Sequence, residues 1–282
     1  MTIDRKRPDM IPHDTIDALA ICFSTLSELG SRLSEPEWKT ATDLPGWSVQ
    51  DNLSHLVAIE RTLQGLPGTS HRAAPVDYVR NPIGEMNENE IDSRRHLSGS
   101  QVLDEWNEIS KQRLTTLRSA DDAYFDAPAM TPTGPGTVAD FLHIRVLDCW
   151  VHEQDMRRAV GVPGHLSGPA AELTIDRLIR TIPIVVGKRA GTPEGASVVI
   201  DITADPVVGG VQRHIICTVS NGRAHIVDVE PSSTLAKLTM DTETFLVLAT
   251  GRRTLDDVAG RVTFEGDTDH AARIASQLNM MI

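Results

Sequence analysis

The sequence predicts a mixed chain, an all-helical first part of about 165 residues followed by a smaller α+β part. Three observations carry this. Apolar residues recur at three- and four-residue steps up to about Gly161, the pattern of amphipathic helices. Beyond Gly195, β-branched runs such as SVVIDIT and VQRHIICTVS replace that pattern. The dipeptide Asn221-Gly222 then separates two such runs, a strong hairpin signal. We therefore expect two domains, residues 1–165 and 166–282, each large enough to bury its own core.

In the first domain, Ile16, Leu19, Phe23, Leu26 and Leu33 mark one helix, closed by the breakers between Gly30 and Pro36. The second helix begins in LPGWSVQDNLSHL. Pro45-Gly46 turns the chain, Ser48 is a good N-cap, and Asp51 faces the positive helix end. Val49, Leu53, Leu56, Glu60 and Leu63 form one face, with His55 on its flank beside Asn52 and Ile59. Residues 65–89 show little periodicity and are long for a bundle connection, which makes them a candidate site-covering loop. The third helix spans about residues 100–119, with Val102, Leu103, Trp106, Ile109, Leu114 and Leu117 as its expected buried set. FDAPAMTPTGPGTVADF follows, and its Pro and Gly residues argue against regular structure. Thr137 caps a fourth helix that stops at Gly161-Val162-Pro163-Gly164.

In the second domain, residues 170–186 read as a helix and 191–195 as a loop. The two strands and the Asn-Gly hairpin come next. DTETFLVLATG then reads as a helix closed by Gly251, RVTFEG as a short strand, and DTDHAARIASQL as a terminal helix.

The fourth helix carries the chemistry. Asp148, His152 and Asp155 are spaced four and then three residues apart, so their side chains fall within a wedge of roughly 60° on the helix. Phe141, Ile144 and Ala159 share that wedge, so the three polar groups interrupt a core-facing stripe. Buried there, each must be hydrogen-bonded, paired or bound to a metal. Two readings stand at this point: a buried polar network with His152 bonded to both acids and tied to Arg145, or half of a metal site. Position 156 is Met, so the H-E-x-x-H zinc-protease pair is absent.

Composition excludes other classes. With 27 basic against 39 acidic residues the formal charge is −12, which argues against an electrostatic grip on nucleic acid. No apolar run reaches membrane-spanning length, and MTIDRKRPDMIPHD lacks an apolar signal core, so no membrane association is expected. Cys22, Cys149 and Cys217 are far apart and odd in number, as in a reducing cytoplasm. Neither nucleotide-binding glycine signature occurs.

LPGWSVQDNLSHL, with Trp47 and His55 eight apart, and RVLDCWVHEQDMRRAVGVPG resemble the actinobacterial mycothiol-dependent maleylpyruvate isomerase family. NPIGEMNENEIDSRR and KRAGTPEGASV extend the resemblance over nearly the whole chain, and TGRRTLDDVAGRVTFEGDTDHAARIASQLN resembles the family's second module. The resemblance implies a DinB-like four-helix bundle followed by a sterol-carrier-like α+β domain. It implies a divalent metal, usually zinc, on His55, Asp148 and His152, with Asp148 standing where the isomerase pattern has glutamate. Asp155 becomes an outer partner or proton acceptor. Mycothiol is the implied thiol, added to a small electrophilic substrate by a cytoplasmic transferase or isomerase, a monomer or small homo-oligomer. Arg252 or Arg253, after the Gly251 helix stop, is a candidate to hold an anionic substrate group. Two alternatives remain: a metal-dependent hydrolase of a small amide or thioester, and a non-catalytic small-ligand-binding protein.

Overall fold

The structure, a computed structural model, describes residues 11–280. The first ten residues, read above as lacking a signal core, lie outside the described residues. The chain divides after Pro163 into two compact units.

The first unit is built on four helices: α1 (His13–Gly30), α3 (Val49–Leu63), α5 (Gly99–Ser119) and α7 (Val138–Val160), with the short α2 (Glu35–Trp38) following α1. Helix α1 packs on α5 and α7, and α3 packs on the same two, which closes a four-helix bundle. Its core includes Leu19, Leu26, Leu53, Leu56, Trp106 and Trp150, each fully buried. The caps follow the sequence. Ser48 Oγ accepts from the Asp51 amide at 3.2 Å while Asp51 reaches back to the Ser48 amide at 2.8 Å. Thr137 and Asp140 do the same for α7, which ends on Gly161 at φ 67°.

Two expectations fail here. Residues 65–89 are not all loop, because α4 (Pro82–Asp92) forms behind an Asn81 cap with proline in its first turn. Only Glu88 and Ile91 of α4 are buried, so it has almost no apolar stripe for periodicity to detect. The second failure lies between Asp121 and Thr137. After the short α6 (Asp122–Asp126), strands β1 (Pro128–Thr131) and β2 (Gly134–Thr137) form an antiparallel hairpin, so the first unit is not purely helical. A two-stranded ribbon consists only of edges, where the missing amides of Pro128 and Pro135 are tolerated. Thr131 Oγ1 donates to the Gly134 carbonyl at 2.7 Å and tightens the turn.

The second unit opens with α8 (Pro169–Ile179). The helix expected to run to residue 186 stops short, because Pro183 has no amide to donate; a π-helical turn, Ile184–Arg189, follows. Strands β3 (Ser197–Thr203), β4 (Arg213–Ser220), β5 (Arg223–Val227), β6 (Ala236–Asp241) and β7 (Val262–Gly266) make one sheet in the order β5-β4-β3-β6-β7. Only β3 and β6 run parallel. Asn221 and Gly222, at φ 53° and 72°, make the β4–β5 turn with both central residues left-handed. Helices α9 (Thr242–Ala249) and α10 (Thr268–Ser276) pack on this sheet.

Candidate metal centre

Helices α3 and α7 face each other inside the bundle and bring His55, Asp148 and His152 together. One potential ligand atom from each lies within 4.8 Å of the other two. His55 Nε2 is 3.5 Å from Asp148 Oδ2, and His152 Nε2 is 3.4 Å from Asp148 Oδ1. The helical spacing explains the second contact and the packing of α3 on α7 supplies the first. Both histidines are buried, at 5% and 6% exposure, whereas the Asp148 side chain is 22% exposed and marks the open side of the cluster.

The surroundings set the charge on each group. Burial pulls the His55 imidazole below its ordinary pKa, and Asp148 only partly offsets this. Burial also opposes charge on His152, but the carboxylates of Asp148 and Asp155 outweigh it and hold this imidazole above its ordinary value. Asp148 is held well below the carboxylate range: burial works against its charge, and Arg145, His55 and His152 overcome it.

Several residues around the cluster were not assigned a role from sequence. Asn52 Oδ1 is 2.7 Å from His152 Nδ1. The Asn52 amide group donates to the Ser48 carbonyl at 2.9 Å and to Thr42 Oγ1 at 3.3 Å, which turns its oxygen toward the imidazole. Asn52 was seen only as a flanking residue, since nothing in a single helix shows which way α3 is rotated against α7. Glu60, wholly buried, is 2.8 Å from Arg145 Nη2 and 3.3 Å from Arg113 Nε, and Arg145 also bonds Asp148 Oδ2. The charge on an otherwise apolar face of the second helix was the signal for Glu60. Trp47 stacks on His152, with ring centroids 5.8 Å apart and planes 25° apart.

Asp155 is fully buried, bonded to Arg158, with Oδ2 3.4 Å from His152 Nδ1. It lies behind the imidazole, on the side away from Asp148. Arg252 and Arg253 are half-buried in the second unit, Arg252 Nη1 donating to the Thr250 carbonyl at 3.2 Å. All three cysteines are free and buried. Burial raises the thiol pKa of Cys22 and Cys149 well above the ordinary range and pushes Cys217 up to about 11.

The donor set fits a divalent ion. Two imidazoles and a carboxylate are standard zinc ligands, and three of them leave one position open. The Asn52 oxygen accepts from His152 Nδ1–H, so Nε2 is the nitrogen left to offer a lone pair to an ion when the ring is neutral. His55 Nδ1 is buried without a hydrogen-bond partner among the described residues, so no second bond fixes this imidazole in place. Two ligands on one tetrahedral zinc ion stand about 3.4 Å apart, so binding would draw the widest pair of the cluster together by about 1 Å or more.

Residues 19–157 match the mycothiol maleylpyruvate isomerase N-terminal domain family. Among solved structures the chain is similar to a point mutant of a mycothiol-dependent maleylpyruvate isomerase, at 17% identity and a TM-score of 0.51, over 94% of this chain and 96% of that one. This likeness shows a shared fold. The mycothiol-dependent maleylpyruvate isomerase without that mutation matches over the same shares, at 18% identity and a TM-score of 0.49. Sterol carrier protein 2 like 2 from Aedes aegypti matches over 37% of this chain and 95% of its own, at 19% identity and a TM-score of 0.28. No curated protein sequence matches the chain. Among the described residues no helix is long and apolar enough to cross a membrane.

Proposed function

We propose, from a chain that belongs to the mycothiol maleylpyruvate isomerase N-terminal domain family, a mycothiol-dependent transferase or isomerase with a divalent metal on His55, Asp148 and His152. The observation that carries this is the convergence of two imidazoles and a carboxylate within 4.8 Å. When bound, a metal such as zinc would supply a Lewis acid at which an incoming thiol gives up its proton near neutral pH.

The protein's own groups prepare that site. Burial keeps His55 neutral, with a lone pair to offer. Asn52 selects the His152 tautomer that leaves Nε2 free. Arg145 keeps Asp148 ionised and oriented, and is itself fixed by Glu60. Asp155 supports the imidazole from behind and stabilises positive charge that develops on it. The three cysteines are buried with raised thiol pKa values, which supports a soluble thiol as the nucleophile. Its thiolate adds to one carbon of an activated double bond, breaking the π bond and passing the electron pair to the activating group; an isomerase expels the thiolate again after rotation about the single bond, and a transferase protonates the adduct and leaves the thioether.

Elemental analysis of freshly purified protein, followed by turnover of small activated alkenes with and without mycothiol, tests the proposal. About one metal ion per chain and strictly thiol-dependent turnover are expected. Metal with thiol-independent cleavage of small amides or thioesters, and no turnover of the alkenes, would point to a hydrolase. A metal-free protein that turns over nothing would leave a ligand-binding role.

A further inference from the structure

We propose that Trp47 is a positioning residue of the metal centre and that Glu88, on α4, anchors it; this rests on the metal-site reading above. Trp47 stands two residues before α3, directly after the Pro45-Gly46 turn. Its ring is 5.8 Å from the His152 ring and 5.3 Å from the His55 ring, and the two imidazoles are 4.8 Å from each other. One indole therefore lies against both histidines. The stack with His152 sets the plane of that imidazole, while the Asn52 bond sets its rotation within the plane. Together they fix where Nε2 points.

The other tryptophans do not resemble this one. Trp38, Trp106 and Trp150 are core residues, none more than 2% exposed, whereas Trp47 is half-buried. An indole kept partly open beside two imidazoles serves as a wall of the site, not as filling. Its N–H is also committed. Trp47 Nε1 donates to Glu88 Oε2 at 3.2 Å.

Glu88 is 3% exposed and collects two further donors on Oε1, the Tyr78 hydroxyl at 3.0 Å and Arg95 Nη1 at 2.6 Å. Arg95 in turn reaches Asp51 of the α3 capping box at 3.3 Å. Gly46, at φ 76°, lies so close to the Tyr78 ring that an added Cβ would stand 2.3 Å from it. The turn, Tyr78, Glu88 and Trp47 thus pack as one block, through which residues 65–97 hold the wall of the centre. Tying α4 to the bundle would need only the Arg95 and Tyr78 bonds. Neither of them requires the ring that faces the histidines to be pinned as well.

The test is titration of the metal-free full-length protein with Co²⁺, reading affinity and the visible d–d absorption, which reports ligand geometry. Wild type is expected to give a tetrahedral-type band and His55→Ala none. Trp47→Leu should bind about tenfold or more weakly, the cost usual for losing an outer partner of a metal ligand, with the band weakened and shifted. Trp47→Phe, which keeps an aromatic face, should recover most of the affinity. Its band should still shift, because the hydrogen bond to Glu88 is lost. Wild-type affinity and spectrum in a folded Trp47→Leu overturn the proposal while leaving the metal reading intact. Should Trp47→Leu not fold, an unchanged band in Trp47→Phe overturns it instead. A wild-type protein as blank to Co²⁺ as His55→Ala removes the metal reading, and this proposal with it.

Discussion

Nδ1 of His152 lies 2.7 Å from Oδ1 of Asn52, a residue three positions before His55 on α3. One helix thus supplies both a candidate ligand and the group that chooses the tautomer of the other imidazole. Asn52→Leu keeps much of the volume and removes the acceptor. Zinc affinity should fall about 10- to 100-fold, as for other outer partners of metal-bound histidine, measured by competition with a chelating dye. Asn52→Asp retains an acceptor and should bind near the wild-type level. Equal affinities in Asn52→Leu and wild type would show that the tautomer is set elsewhere.

His152→Ala should lose bound metal and thiol-dependent turnover together. Asp155→Asn should keep the metal but turn over roughly tenfold more slowly, because the neutral amide no longer stabilises charge on the imidazole. Metal content by elemental analysis, set beside kcat for the same preparations, separates the two. An Asp155→Asn protein without metal would place Asp155 in the binding of the ion.

Glu60 sits between Arg145 and Arg113, with no exposure of its own. Glu60→Leu strands two buried guanidinium groups and should cost about 3–5 kcal/mol, the usual range for breaking a buried pair from one side. Arg213→Ala breaks a half-exposed pair with Asp176 and should cost about 1 kcal/mol or less. Trp38, Trp47, Trp106 and Trp150 all precede Pro163, so tryptophan fluorescence during urea unfolding reports the first unit alone. Fluorescence is therefore the probe for Glu60→Leu and far-ultraviolet circular dichroism the probe for Arg213→Ala. A Glu60→Leu midpoint close to wild type would contradict the ion-pair argument.

On the sheet of the second unit, His214 Nδ1 lies 2.5 Å from Asp201 Oδ1, and Nε2 is 3.0 Å from Glu230. The hydrogen bond to Asp201 holds the imidazole above its ordinary pKa, against a small cost of burial. Asp201 is held below its own: burial opposes its charge, and His214 and Lys237 overcome that. The histidine's contribution is complete below an unfolded pKa of about 6.5 and fades as pH rises through the higher folded value. The aspartate's is complete above about 3.9 and fades as pH falls through the lower folded value. The pair therefore supports the fold most between about pH 4 and 6.5. An imidazole NMR titration of His214 should give a midpoint above 6.5, lowered by Asp201→Asn. An unchanged midpoint in that variant would dismiss the pair.

How far the chain could be read from its sequence differs from element to element. Helix α7 was legible because Thr137, the apolar stripe and Gly161 state its start, face and end in local terms. His55, Asp148 and His152 came partly from spacing and partly from family resemblance. Helix α4 was hidden because it buries so little, and the β1–β2 hairpin because its prolines lie where an edge needs no amide. Asn52, Glu60 and Trp47 were on the page as residues but not as neighbours of His152 and Arg145. Their partners are up to 105 positions away, and only the packing of α3 against α7 brings them together.

The placement of Cys22, Cys149 and Cys217 bears on the protein's own survival. Under the proposed function, an activated alkene would alkylate any thiolate it can reach, whether that thiolate belongs to a cosubstrate or to the protein. Here every sulfhydryl is enclosed by packing, and burial above all holds its thiol pKa above the ordinary value. Self-alkylation, and mixed disulfides with a small thiol abundant in the same solution, would each require the fold to open first. The rate of such damage is then scaled down by the small population of the opened state.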